Sequence, residues 1–183
     1  MKRIVLVFGL LGGLILAAVL VLTMPFKDAI DPGTGMLIGY TSMVLAFLFV
    51  FFGVRQYRDT VLGGTITFRQ ALGAGALIGL LSSACYVATW EVLFFTGSGE
   101  AYMAAYEKGV LEKARAGGAS DAEIAKQQAE LRTFAEQYRN PLFNTAITFL
   151  EPLPVALVAV LLSAGVLSRR RRDGAGVAQR AGT

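Results

Sequence analysis

Glu91 and Glu151 are the two positions whose chemistry needs explaining. Each is the one charge in a long apolar stretch, Ala71–Phe95 and Ala146–Leu167 respectively. An ionised carboxylate is costly in hydrocarbon, so it is expected to face a protein partner, water or a ligand. With Tyr86, Trp90 and Thr148 nearby in sequence or on the facing segment, the two acids outline a polar site that binds a cation or passes a proton. Two adjacent carboxylates would repel when ionised, which raises the proton affinity of one and lets protonation alter packing. The plainer alternative is that both acids lie close enough to the membrane boundary to reach water or Arg139, with no transport.

Little other chemistry is open to this chain. It has no histidine and one cysteine, Cys85, which excludes imidazole acid/base catalysis, His-ligated metal, a zinc cluster and an internal disulfide. No catalytic residue, metal ligand or cofactor is expected, and the protein is read as non-enzymatic. Cys85 reads as a small packing residue, because no histidine can activate it and burial disfavours a thiolate. The glycine pair in Gly63-Gly64-Thr65-Ile66-Thr67-Phe68-Arg69 is not a phosphate-binding loop, since that pattern needs a lysine that is missing here. Asp59 is a local partner for Arg55 or Arg58.

The elements that position the two acids follow from composition. Of 183 residues, 55% are apolar and 16% charged, against the roughly 25% charge of a soluble domain. A bilayer core of about 30 Å needs roughly 20 apolar residues in a helix. Four segments qualify, at about 4–24, 35–54, 71–95 and 146–167, and the first two carry no charge. The first could instead be a signal peptide, but its apolar run is longer than a signal core and no clear cleavage site precedes Met24. The expected fold is an all-α bundle of four transmembrane helices forming one domain over 1–170, with a flexible basic cytoplasmic tail over 171–183.

Cationic flanks stay cytoplasmic. Lys2 and Arg3, then Arg55, Arg58 and Arg69, then Arg169–Arg172 and Arg180 mark three such flanks. The intervening links lack that bias: Pro25–Thr34 has Lys27 against Asp28 and Asp31, and Thr96–Asn140 has six basic and seven acidic residues. Both termini are therefore expected in the cytoplasm of a bacterial cell, with the protein in its inner membrane. The arginine run is read as an anchor rather than a nucleic-acid site.

Segment 96–140 has the pattern of a periplasmic helical hairpin. Good helix formers run from Glu100 to Ala116 and stop at Gly117-Gly118, and Ser120-Asp121-Ala122-Glu123 has the capping-box spacing that opens a second helix. Ile124, Leu131 and Tyr138 give that helix a thin apolar stripe; Tyr102, Tyr106 and Val110 do the same for the first. Neither stripe supports a separate core, so the hairpin is expected to dock on the ends of the spans. Pro152 and Pro154 should kink the fourth span beside Glu151. Gly9-x-x-x-Gly13, Gly35-x-x-x-Gly39 and Gly75-x-x-x-Gly79 permit close helix approach, read as packing within the chain more than dimerisation. In the third span Glu91 shares a helix face with Gly73, Leu80 and Ala84, whereas Gly75, Gly79 and Ser82 lie elsewhere.

Taken as a set, Tyr57-Arg58-Asp59, Gly63-Gly64-Thr65-Ile66-Thr67-Phe68, Gly118-Ala119-Ser120-Asp121-Ala122-Glu123-Ile124 and Tyr138-Arg139-Asn140-Pro141-Leu142 resemble domain of unknown function family 4199, over roughly Lys2 to Arg170. The resemblance implies a four-span inner-membrane protein and transfers no activity. The function expected from the sequence is that of a structural or accessory protein, whose partners are the lipid bilayer and a homo-oligomer or a membrane or periplasmic protein. The alternative is a small carrier or channel subunit that uses Glu91 and Glu151.

Overall fold

The computed structural model describes residues 1–168. The arginine run and the expected flexible tail over 171–183 lie outside the described residues.

Among the described residues the chain is helical with no strand. Helix α1 spans Lys2–Thr23 and ends in a single 3-10 turn, Met24–Phe26, held by Pro25. Helix α2, Pro32–Thr60, starts where Asp31 accepts hydrogen bonds from the Gly33 and Thr34 amides at 3.0 and 3.1 Å, with Pro32 at the first helical position. It runs past the expected end at Val54. Arg55 and Arg58 bond Asp59 at 3.7 and 2.6 Å on its last turns, so the short connection begins as helix rather than as loop. At 29 residues α2 is about 44 Å long, against about 30 Å of hydrocarbon, so its charged end projects beyond the core.

Gly63 and Gly64 take left-handed φ of 68° and 93° and turn the chain. Residues 65–67 lie outside any helix and Thr67 is extended, and Phe68 is the first residue of α3, Phe68–Leu93. The reason is a capping box: the Gln70 amide donates to Thr67 Oγ1, and Gln70 Oε1 accepts from the Thr67 amide. After α3 the chain kinks through a wide turn, Phe94–Ser98, where Gly97 adopts φ 113°, and re-enters helix as α4, Gly99–Ala116. Gly118, with φ 84°, separates α4 from α5, Asp121–Tyr138, whose start is the Ser120/Glu123 capping box. The last helix is broken as its prolines require. Helix α6, Pro141–Leu150, stops at Glu151-Pro152, and α7, Leu153–Leu167, continues.

Four of these helical stretches are long and apolar enough to cross a membrane: Lys2–Phe26, Pro32–Thr60, Phe68–Ala116 and Pro141–Leu167. The third, at 49 residues, is far longer than a bilayer, and α4 is its polar portion. Large apolar side chains cover the outside of the bundle, such as Leu14 and Leu162, which are 65% and 63% exposed. A soluble protein does not leave such a belt in water, whereas lipid accepts it. The protein is a multi-pass membrane protein built as a helical bundle.

Helices α2 and α3 form the centre, and α1 and α7 each pack against both. The core holds Leu16, Phe47, Val50, Val54, Ile78 and Ala164, all essentially inaccessible. Two of the small-residue motifs serve packing inside the chain. A Cβ on Gly13 would lie 2.5 Å from Cys85 Cβ, which accounts for both residues, and Ser82 Oγ donates to the Gly9 carbonyl at 2.9 Å. Gly75 and Gly79 face Val160 of α7. Gly35 and Gly39 depart from the expectation: a Cβ on Gly39 would meet nothing within 4 Å, because that stretch of α2 faces a cavity rather than a helix.

Candidate functional site

The break at Glu151-Pro152 creates the site. Beyond it, α7 packs on both α2 and α3, whereas α6 packs on α3 and α5. The last helix therefore leaves α2 at the break, and the gap is bounded by α1, α2 and α3 and roofed by α4 and α5. It forms a cavity of about 460 Å³, a volume common for small-molecule sites.

The cavity lining concentrates particular side chains. Five of the six tyrosines, the single Trp90 and every methionine except Met1 face it. Its charged lining residues are Lys27, Asp31 and Glu151. Lys27 bonds Asp28 at 3.0 Å, and Asp31 caps α2. Hydrogen bonding from Thr34 holds the Asp31 carboxyl below the usual carboxylate range. Glu151 differs from both. It accepts the Tyr86 hydroxyl at 2.6 Å through Oε2, and among the described residues no cationic side chain pairs with it.

Three of the five residues singled out from the sequence, Glu151, Tyr86 and Trp90, line this cavity together. Glu91 does not line it. Its Oε1 accepts from Thr145 Oγ1 at 3.0 Å along the outer seam of α3 and α6, on the face where Gly73, Leu80 and Ala84 are exposed. Neither acid reaches Arg139, which instead bonds Glu100 at 3.0 Å and ties the end of α5 to the start of α4. The two carboxylates thus bond different partners, each through its own contact to α3 or α6.

Thr148 belongs to a buried network behind Trp90, organised by Asn144, a residue the sequence did not single out. Asn144 is 0% exposed. Its Nδ2 donates to the Tyr138 carbonyl at 3.1 Å, and its Oδ1 accepts from Trp90 Nε1 and Thr148 Oγ1, both at 3.1 Å. Because the Thr148 proton is committed to Asn144, the 2.7 Å contact between Tyr138 and Thr148 must be donated by the Tyr138 hydroxyl. Burial pushes that phenol up to about 12. The Tyr138 ring stacks edge-on with Phe94 at 5.3 Å, as Trp90 does with Tyr102 at 5.0 Å. One amide therefore joins α3, α5 and α6 and satisfies a carbonyl at the end of α5 that the helix leaves open.

Helices α4 and α5 run side by side over the cavity. Gln128 donates to Glu107 at 3.0 Å, with Arg132 at 3.5 Å from the same oxygen. The expected stripe on α5 is buried at Ile124 and Tyr138, while on α4 the buried apolar side chain is Leu111, and Tyr106 remains exposed over the cavity mouth. Gly109 of α4 lies against Pro32, so the roof rests directly on the start of α2.

No curated protein and no solved structure matches the chain. A family model described as a protein of unknown function, DUF4199, matches residues 7–169. That match takes in all seven helices except the first residues of α1, and the chain belongs to the DUF4199 family.

Proposed function

We propose that the protein is a non-enzymatic accessory protein of a bacterial inner membrane, with both termini cytoplasmic and the α4–α5 pair held in the periplasm as a platform. There it stabilises the bundle and contacts a second membrane or periplasmic protein, or another copy of the chain. The observation that carries this reading is the mooring of the pair. The buried Asn144 network and the Arg139–Glu100 ion pair fix α5 at one end, while Gly109 seats α4 on Pro32. A loop with no role beyond linking two spans needs no such attachment. The charge asymmetry of the flanks supports the orientation.

Alkaline phosphatase fused after Ala119 is expected to be active and the same enzyme fused to the carboxyl end inactive. The reverse pattern would overturn the orientation. Cysteines placed at the exposed Ala125 and Ala129 of α5 are expected to crosslink to a defined partner or a second copy in native membranes. Failure to form any discrete product would remove the platform role.

One observation favours a second reading, a small carrier or channel subunit. Glu151 lies in the wall of an open cavity with no cationic side chain paired to it among the described residues. Glu91, on the outer seam, takes no part in that version. Proteoliposome flux that depends on Glu151 and not on Glu91 is its expected signature.

A further inference from the structure

We propose that the cavity beneath α4 and α5 is a binding site for a lipophilic organic cation, a quaternary or protonated amine or an equivalent onium ion on an apolar body. Glu151 is its counter-ion, and Tyr86, Trp90 and Tyr102 form the aromatic wall. The inference extends the carrier reading from an unspecified cation to a chemical class. It is tested by binding alone, so it stands or falls separately from transport.

Three features of the lining select that class. The first is charge. Of the three charged lining residues, Lys27 is paired with Asp28 and the Asp31 carboxylate is held by the amides at the start of α2, which leaves Glu151 as the lining carboxylate with neither a cation nor a helix start beside it. Tyr86 engages Oε2, and Oε1 has no hydrogen-bond partner among the described residues. A carboxylate in a membrane-spanning helix gains most from a cation that arrives with it into low dielectric.

The second is the nature of the walls. Aromatic rings present a negative face to a cation within about 6 Å of their centres, and quaternary ammonium groups are recognised this way. Trp90 and Tyr102, fixed edge to face at 5.0 Å, make a rigid corner. Met24, Met36, Met43 and Met103 complete the lining with flexible, polarisable side chains that mould to an apolar body. Gly35 and Gly39 keep the α2 wall open.

The third is what the site lacks for a small inorganic ion. Calcium takes six to eight oxygen ligands, and magnesium demands a near-ideal octahedron. Among the described residues no group of three or more His, Cys, Asp or Glu side chains could hold a metal. A divalent metal thus finds no ready set of acidic ligands here, whereas a cation that carries its own apolar surface needs none.

Such a cation is available either as a free amphiphilic amine or as the ammonium headgroup of a lipid. Met36 and Tyr40 line the cavity while 60% and 47% exposed, so it opens to the outside of the bundle and either source can enter.

The test uses the full chain in nanodiscs of phosphatidylglycerol, with Trp90, the one tryptophan, as the optical reporter. The probes are tetraphenylphosphonium and tetraphenylborate, which share a shape and differ in the sign of their charge. Tetraphenylphosphonium is expected to alter Trp90 emission saturably, and tetraphenylborate is expected neither to do so nor to compete. Glu151→Gln should weaken binding at least tenfold. Gly39→Leu should abolish it by filling the cavity, since its Cβ meets no other atom. Glu91→Gln should leave it unchanged. If Glu151→Gln fails to assemble, Gly39→Leu and the pair of probes decide the matter.

Displacement of the phosphonium by added phosphatidylethanolamine would assign the site to a lipid headgroup, and retention would assign it to a free amine. Equal binding of the two probes, unchanged affinity in Gly39→Leu, or no saturable response from folded wild-type protein would overturn the proposal.

Discussion

Replacing Asn144 with alanine isolates the contribution of one buried amide to the whole upper half of the molecule. The side chain is fully buried and makes three hydrogen bonds, to Trp90, Thr148 and the Tyr138 carbonyl. Alanine leaves an indole N–H, a hydroxyl and a carbonyl without that partner. Each orphaned buried group costs about 1–3 kcal/mol, partly recovered by relaxation, so a loss of about 3–5 kcal/mol is expected. Asn144→Leu restores most of the lost volume while leaving the same groups unpaired. It should therefore recover only the packing share of the deficit, about 1 kcal/mol of it. The assay is reversible unfolding in mixed micelles followed by Trp90 fluorescence, which reports from within the network. Besides the shifted midpoint, the emission of the folded Asn144→Ala variant should move to the red as water reaches the indole. A midpoint within about 0.5 kcal/mol of wild type, the range of neutral surface changes, would refute the idea that this amide holds the roof to the spans.

Further outcomes follow from single contacts. Gly13→Ala drives a methyl group to 2.5 Å from Cys85 Cβ and should cost about 1–3 kcal/mol in the same assay. Gly39→Ala, with open space around its Cβ, should be neutral or stabilising by up to about 1 kcal/mol through helix propensity. Glu91→Gln removes an exposed contact to Thr145 and should change stability by less than about 0.5 kcal/mol. The buried Tyr138 phenol titrates above its ordinary value of 10.0, at about 12. The stability it contributes is therefore complete below about pH 10 and lost as pH rises through about 12. Tyr138→Phe should flatten that alkaline decline relative to wild type; an unchanged slope would show that the phenol is not held neutral by burial.

The parts of the fold that were legible in advance were those fixed by local chemistry. Long apolar runs gave the spans, Ser120 and Glu123 gave the start of α5, and Pro152 gave the break beside Glu151. The helical-wheel position of Glu91, apart from Gly75, Gly79 and Ser82, correctly separated it from the packed face of α3. Elements governed by competing signals were harder. In the second connection Thr67 keeps an extended backbone, yet its pairing with Gln70 caps a helix that begins at Phe68. The cavity was invisible because it arises from the divergence of α6 and α2, a three-dimensional consequence of a break whose direction no pattern encodes. Nothing in the sequence around Asn144, in the first turn of α6, marks it out. Its importance comes from the Trp90 and Tyr138 groups that face it from two other helices, and a linear pattern carries no information about such convergence.

The direction of the bonds around Asn144 also determines what this part of the protein can conduct. A proton wire needs every member to take a proton on one side and release one on the other. The sequence from Tyr138 through Thr148 ends on an amide oxygen, which accepts and has nothing to hand on. The bonds from Tyr138 through Thr148 to Asn144 therefore form no proton wire. Glu151 stands apart from this network, bonded to Tyr86 and facing the cavity, so a proton reaching that carboxylate would come by one of those two ways and not through Asn144.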